Sequence, residues 1–167
     1  MSLTIRKANI LDARDVAILH IRSWIAAYSG IIPSRAIAEA NGRRFSRWQK
    51  LLKDVNIDTY VSVYNHEIVG LLCMSKSRDN DTAPDTYEIM ALYLLPEFFG
   101  KGVAKPLMDF ALSHIKDLGY KSVILWALEE NTRADKFYKK SGFYPDGTKK
   151  EIVIGRPLDE IRYRKDL

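Results

Sequence analysis

The sequence predicts an α/β domain on a mixed central sheet of about seven strands, spanning residues 1–167 as a single unit, and three observations carry that expectation. A length of 167 residues suits one domain, or at most two very small ones. Strand-like and helix-like periodicities take turns along the chain, with no linker, repeat or low-complexity stretch between them. The third is the unbroken apolar run Val123-Ile124-Leu125-Trp126-Ala127-Leu128, which suits a strand covered on both faces, as parallel strands in α/β sheets are.

Taken in order, residues 3–8 read as a short strand, with Leu3, Ile5 and Lys7 alternating against Thr4 and Arg6. Asp12 looks like a helix N-cap, and Asp15 adds negative charge to the first turn. Ile18, Ile21, Ile25 and Tyr28 follow at helical spacing, so a helix is expected over 12–28, stopping at Ser29-Gly30. After it, 33–41 and 43–54 read as short helices, the second with Phe45, Trp48, Leu51 and Leu52 on one side. Residues 60–64 and 68–74 are strand formers around a turn-like Asn65-His66, which predicts an antiparallel hairpin. The polar stretch 78–85 is expected to be the most mobile part of the chain. A third long strand runs over 87–95, closed by Pro96.

Beyond Pro96 the order is glycine loop, helix, strand, helix. Leu107, Met108, Ala111, Leu112, Ile115 and Leu118 define an apolar helix face, and Gly119 is a natural stop. Asn131-Thr132 can cap a further helix with Ala134, Phe137, Tyr138 and Ser141 on one face and Gly142 at its end. Residues 152–154 and 161–164 suggest two closing strands.

Composition excludes several classes. Hydrophobic residues at 47% and charged residues at 28% rule out general disorder. Cys73 is the single cysteine, so no intrachain disulfide forms. No apolar run approaches the roughly 18 residues of a membrane span, and Met1 to Lys7 lack the apolar stretch of a signal peptide, so a cytoplasmic protein without membrane contact is expected. There are 26 basic and 21 acidic residues, a formal charge of +5, but no block of five like charges, so a mixed solvated surface is favoured over a nucleic-acid footprint. His20, His66 and His114 lie far apart without ligand spacing, and no metal is expected.

The most informative stretch runs from Leu92 to Leu107, where a strand enters a glycine turn that opens directly into a helix. The first N–H groups of such a helix have no internal partner, and with the helix dipole they make an anion site of phosphate size. Gly100 and Gly102 allow close backbone approach, Lys101 and Lys105 add charge, and Pro106 lacks an N–H where none is needed. A P-loop would need Gly, four residues, then Gly-Lys-Ser/Thr, and a dinucleotide fingerprint a third glycine; neither is present. The Gly-Lys-Gly turn alone leaves an ordinary strand–helix turn open.

Together the motifs resemble those of the GNAT superfamily of acyl-CoA-dependent N-acetyltransferases. Its pyrophosphate loop, Arg/Gln-x-x-Gly-x-Gly/Ala, is matched by Phe99-Gly100-Lys101-Gly102-Val103-Ala104, with Phe99 departing from the usual Arg or Gln. Further matches are Leu92-Tyr93-Leu94-Leu95-Pro96, Glu130-Asn131, Phe137-Tyr138-Lys139-Lys140-Ser141-Gly142-Phe143, Ile161-Arg162-Tyr163, and Trp24, Tyr28 and Gly30-Ile31-Ile32-Pro33 near the first helix. The resemblance covers the whole chain. It implies helices on both faces of the sheet and two splayed parallel strands in its middle, here 87–95 and 122–128, with acetyl-CoA as acyl donor and its pantetheine arm in the wedge. Carried over, the backbone of Leu92, Tyr93 and Leu94 pairs with pantetheine. Gly100, Lys101, Gly102, Val103, Ala104 and Lys105 hold the pyrophosphate, Asn131 bonds the cofactor arm, and Tyr138 sits by the sulfur.

The implied reaction is direct transfer of the acetyl group to a primary amine: a small amine, a polyamine or a peptide amine. An amine of pKa near 10.4 is only about 0.04% neutral at pH 7, so a proton must leave. Glu88 is the candidate base, if need be through a water, with a solvated strand-end carboxylate as its other reading. Tyr138 is the candidate acid for the departing thiolate, or else a core aromatic. Cys73 in an apolar strand reads as a packed thiol rather than an acyl carrier. Trp24, Tyr28, Trp48 and Trp126 either line an amine pocket or belong to the core. A non-catalytic acyl-CoA-binding or nucleic-acid-associated protein on the same fold is the alternative, and a homodimer is left open.

Overall fold

The computed structural model describes residues 3–167. In chain order its elements are β1 (Leu3–Lys7), α1 (Ala13–Tyr28), α2 (Ser34–Asn41), α3 (Arg44–Leu51), β2 (Asp58–Tyr64), β3 (Glu67–Lys76), β4 (Thr86–Leu94), α4 (Ala104–Asp117), β5 (Ser122–Leu128), α5 (Thr132–Lys140), β6 (Tyr144–Val153) and β7 (Pro157–Asp166). Seven strands form one sheet in the order β1-β2-β3-β4-β5-β7-β6. Neighbours are antiparallel except β4 and β5, which α4 joins as a parallel pair. The mixed α/β sheet expected from the sequence is the observed one. No helix among the described residues is long and apolar enough to cross a membrane.

Local chemistry explains most elements. Asn65 and His66 carry φ of +46° and +67°, the two left-handed residues that a two-residue hairpin between β2 and β3 demands. β3 is buried from Ile68 to Ser75, and α1 and α4 both pack on β3 and β4. Leu107, Met108, Ala111 and Ile115 of α4 are fully buried, as their spacing predicts, whereas Leu118 is half exposed.

Several expectations need correction. Asp12 is the N-cap position of α1 as expected, but its side chain makes no capping bond to that helix; a turn at Ile10–Asp12 precedes it, where the Asn9 side chain accepts from the Leu11 N–H and Asp12 accepts from the Asn9 N–H. That is a capping box on a single 3₁₀ turn, and Asp12 also takes two hydrogen bonds from Arg6. The buried stripe of α1 is Ala13, Val16, Ala17, Leu19, His20 and Ser23, while Ile18 and Ile25 are 44% and 48% exposed. Two stripes of helical period run along this helix, and the one carrying Val16, Leu19 and His20 is turned into the fold. The helix expected over 43–54 ends at Leu51, and its Phe45 is exposed.

The closing strands are longer than 152–154 and 161–164, and Ile154 lies past the end of β6. β6 is an edge strand with no fully buried residue and an irregular register between Pro145 and Lys149, so it carries little apolar signal. The 78–85 stretch is tied to the sheet by side chains: the buried Arg162 of β7 holds Asp81 through Nη1 and Nη2 at 2.6 and 2.9 Å and reaches Asp79 at 3.0 Å.

Candidate active site

The site begins with a fault in the sheet. β3 and β4 pair as Cys73↔Ala91 and then Met74↔Ile89, which leaves Met90 as an extra residue on β4. At the same point the parallel ladder ends: β4 pairs with β5 only from Thr86↔Ser122 to Ile89↔Leu125. Beyond it the strands part. The Leu95 N–H bonds to Val69 O across the β3 side at 3.0 Å. Because main-chain groups alternate sides along a strand, those of Tyr93 face β3 and those of Leu92 and Leu94 face the gap.

A cavity of about 640 Å³ occupies this gap. Leu92, Tyr93 and Leu94 form one wall, Gly100, Gly102, Ala104 and Lys105 the end, and Asn131 and Tyr138 the other wall. Gly100 and Gly102 have φ of +71° and +79°, and a Cβ on either would meet only open space. Val103 precedes α4 without a capping side chain, and Pro106 takes the third helical position. The N–H groups of Gly102, Ala104 and Lys105, residues that line this end of the cavity, have no partner among the described residues. Lys105 pairs with Asp109, and the Lys101 ammonium lies 6.0 Å from the Phe98 ring centre. Lys101 and Val103 do not line the cavity itself.

Helix α5 has no fully buried residue; Phe137 and Tyr138 pack partly buried against the core and also line the cavity. Asn131 caps it, its Oδ1 accepting from the Ala134 N–H at 3.2 Å, and its amide also meets the Tyr28 hydroxyl beside the cavity. The Tyr138 ring lies 5.7 Å from Tyr163 and 6.1 Å from Phe143, and its hydroxyl has no hydrogen-bond partner among the described residues. Burial, then the neighbouring Tyr93 and Tyr163, push its pKa well above that of free tyrosine, so it is protonated at neutral pH.

A second cavity of about 140 Å³ opens on Glu88, Trp24, Tyr28, Trp126, Lys150 and Glu160. The two cavities share Tyr28, Ile89, Met90, Tyr93, Trp126 and Ala127, so they meet through the splayed strands. Glu88 is 1% exposed, not a solvated strand end. Arg78 gives it three hydrogen bonds, from its main-chain N–H, Nε and Nη2. A carboxylate has about four acceptor positions, so roughly one remains for a water or an amine. Trp24, Tyr28 and Trp126 line this space, while Trp48 is core and donates to His20 Nδ1. Cys73 is buried away from both cavities, and burial pushes its thiol up to about 11.

Two cavity-lining residues, Arg133 and Glu160, escaped the sequence reading. Arg133, on the first turn of α5, stacks its guanidinium over the Phe99 ring at 4.0 Å and lines the larger cavity beside the glycine turn. The aromatic residue that departs from the loop pattern thus positions a cation borrowed from another helix. Only its i+2 offset from Asn131 could have signalled it. Glu160 was also missed; it pairs with Lys150, whose ammonium sits 3.8 Å over Trp126.

The model of the "Acetyltransferase (GNAT) family" matches residues 21–143. An uncharacterized N-acetyltransferase of Mycobacterium tuberculosis is 30% identical over 140 residues, covering 83% of this chain and 86% of that one. A spermidine N(1)-acetyltransferase of Thermoplasma acidophilum is 26% identical over 155 residues, or 89% and 92% of the two chains. Among solved structures, the PaiA N-acetyltransferase of Thermoplasma acidophilum in complex with coenzyme A superimposes with a TM-score of 0.83 over 100% of both chains at 22% identity.

Proposed function

The chain belongs to the GNAT acetyltransferase family and is an acetyl-CoA-dependent acyltransferase; from that premise we propose that it acetylates a primary amine by direct transfer, donor and acceptor meeting through the splayed strands. One observation carries the reading: two cavities on either side of the parting strands share a wall at Met90, Tyr93 and Trp126. A ping-pong scheme would need a nucleophile in that wall, and the buried Cys73 thiol is not there.

In this reading the acetyl-CoA pyrophosphate sits on the N–H groups of Gly102 to Lys105, with Lys101 and Arg133 adding charge at the rim. The pantetheine amides pair with the gap-facing main chain of Leu92 and Leu94, beside Tyr93, and Asn131 donates to the arm from the other wall. Main-chain N–H groups near Met90, freed by the extra residue, polarise the thioester carbonyl. The amine enters from the smaller cavity, across Trp24, Tyr28 and Trp126, whose faces suit a cation. Glu88 takes its proton through a water held at the acceptor position that Arg78 leaves free. The amine nitrogen attacks the thioester carbon, the C–S bond breaks, and Tyr138 protonates the departing sulfur. A polyamine or another small amine is favoured over a bulky acceptor, because the second cavity is small and the spermidine N(1)-acetyltransferase is among the relatives.

Thiol release from acetyl-CoA across a panel of amines tests this. Amine-dependent release is expected, with Tyr138→Phe lowering kcat by at least tenfold and changing acetyl-CoA affinity little, since a general acid contributes about 10²–10⁴-fold. No release with any amine at saturating acetyl-CoA would refute the proposed reaction. Equal kcat in Tyr138→Phe, with chemistry rate-limiting, would refute the acid.

A further inference from the structure

The smaller cavity already holds a primary ammonium that belongs to the protein itself. Lys150, on the edge strand β6, reaches over Trp126 with its Nζ 3.8 Å from the ring centre and 3.4 Å from the Glu160 carboxylate of β7. Lys150, Trp126 and Glu160 all line the cavity that opens on Glu88. Strand register brings them together: Lys150 stands opposite Glu160, and Trp126 stands opposite Arg162, two residues along β7 and therefore on the same face of the sheet as Glu160. An aromatic face beside a carboxylate is a setting that attracts an ammonium, and here one occupies it.

The two carboxylates of this cavity are held very differently. Glu88 is 1% exposed and spends three acceptor positions on Arg78. Glu160 has Lys150 alone as a side-chain partner among the described residues. At 3.4 Å, with the lysine side chain 43% exposed, that contact is a loose surface pair of small net worth. The ammonium can return to water at little cost, because β6 ends the sheet and has no strand on its outer side.

We propose that Trp126 and Glu160 form a subsite for a second ammonium on the acceptor, that Lys150 fills this subsite while no acceptor is bound, and that the acceptor is a short diamine. Resting on the proposed entry of the amine through this cavity, the assignment adds the residues that read the acceptor's far end. One nitrogen loses its proton toward Glu88 and attacks the thioester, while the other keeps its charge and displaces Lys150. A cavity of about 140 Å³ suits a short aliphatic chain between the two. An acceptor with a carboxylate at its far end, read by Lys150, fits less well, since the Trp126 face repels an anion and Glu160 stands beside it. Lys150 thus acts as a resident competitor that an acceptor with one nitrogen gains nothing by displacing.

The test measures thiol release at saturating acetyl-CoA and constant ionic strength with 1,4-diaminobutane, butylamine and 4-aminobutyrate, which share a carbon count and differ at the far end. Homologues one carbon shorter and longer complete the series, and kcat/KM is compared within each length. At the best length the wild type should prefer the diamine to the monoamine by about tenfold or more, the worth of one charge-assisted hydrogen bond. Glu160→Gln should reduce this preference to about twofold, the share that two equivalent nitrogens give. Lys150→Met, an exposed change on an edge strand, should raise it by about three- to tenfold, the combined worth of a surface ion pair and a cation–π contact. That gain should vanish in the Glu160→Gln background, because Lys150 competes only where Glu160 attracts. A pair that only braces the sheet would move every acceptor together and leave the preference alone. A wild-type preference of about twofold or less at every length, a preference that Lys150→Met lowers or leaves unchanged, or better use of 4-aminobutyrate than of butylamine would each overturn the inference while amine acetylation stands. No release with any amine would overturn both.

Discussion

Replacing Arg162 by Met tests how the wall of the acceptor cavity is held. The side chain is 7% exposed and bonds Asp79, Asp81, Asp146 and Thr148 at 2.6–3.0 Å. Met keeps the aliphatic volume and removes all five donors. Asp81 is 61% exposed and rehydrates without loss, so it is left out of the sum. Asp79 and Asp146 are 20% and 14% exposed, and both would be left as largely desolvated carboxylates. Breaking a buried pair on one side costs about 3–5 kcal/mol. For a chain of this size that lowers Tm by about 6–20 °C. Function should suffer too: the Trp126 indole donates to Asp79 at 3.0 Å, so the loosened loop frees a wall of the acceptor cavity and raises KM for the amine more than for acetyl-CoA. Urea unfolding by circular dichroism, with steady-state kinetics, measures both. A loss below about 1 kcal/mol, with unchanged KM values, would refute the clamp; Asp81→Asn should cost far less than Arg162→Met.

Arg133→Met should raise KM for acetyl-CoA by about tenfold, the loss of one charge-assisted bond, and flatten its salt dependence, with kcat little changed; initial rates at two ionic strengths measure it. Cys73→Ala should keep full turnover at a stability loss of about 1 kcal/mol, and intact mass after incubation with acetyl-CoA should show no acetyl adduct on Cys73 of the wild type. Hydrogen bonds from Arg6 hold the Asp12 carboxyl below its ordinary range, so its contribution is complete above the unfolded value near pH 4 and fades as pH falls through the lower folded value. Asp12→Asn should therefore lose about 1 kcal/mol at pH 7, with the difference from wild type closing on acidification in denaturant melts.

The central elements were legible because their residues are buried by the local rule that also patterns them. The hairpin at Asn65-His66, the apolar run of β5 and the glycine turn before α4 each carry their structure within a few residues. The first-helix stripe was not, since Ile18 and Val16 are equally apolar and only the tertiary fold decides which one turns inward. β6 hid because edge strands are polar by necessity. In the site, the glycine turn could be found from its strand–turn–helix order, whereas the family resemblance is what places Asn131 and Tyr138 beside it. Pairs joined across long separations could not: Arg162 meets Asp81 and Arg133 meets Phe99 only after the sheet has formed.

The short parallel ladder has a mechanical consequence. Only the stretch from Thr86 to Ile89, against Ser122 to Leu125, ties the four strands on one side to the three on the other within the sheet. Each half is antiparallel throughout and able to keep its own hydrogen bonds while the other shifts. Thermal fluctuation should therefore concentrate at this seam, with amides at the parted ends of β4 and β5 exchanging with solvent well before those of β3. An extended molecule laid along the gap bridges the halves as a non-peptide strand would. The protein then behaves as a spring clip: loosest when empty, and stiffened along its whole width by whatever it grips.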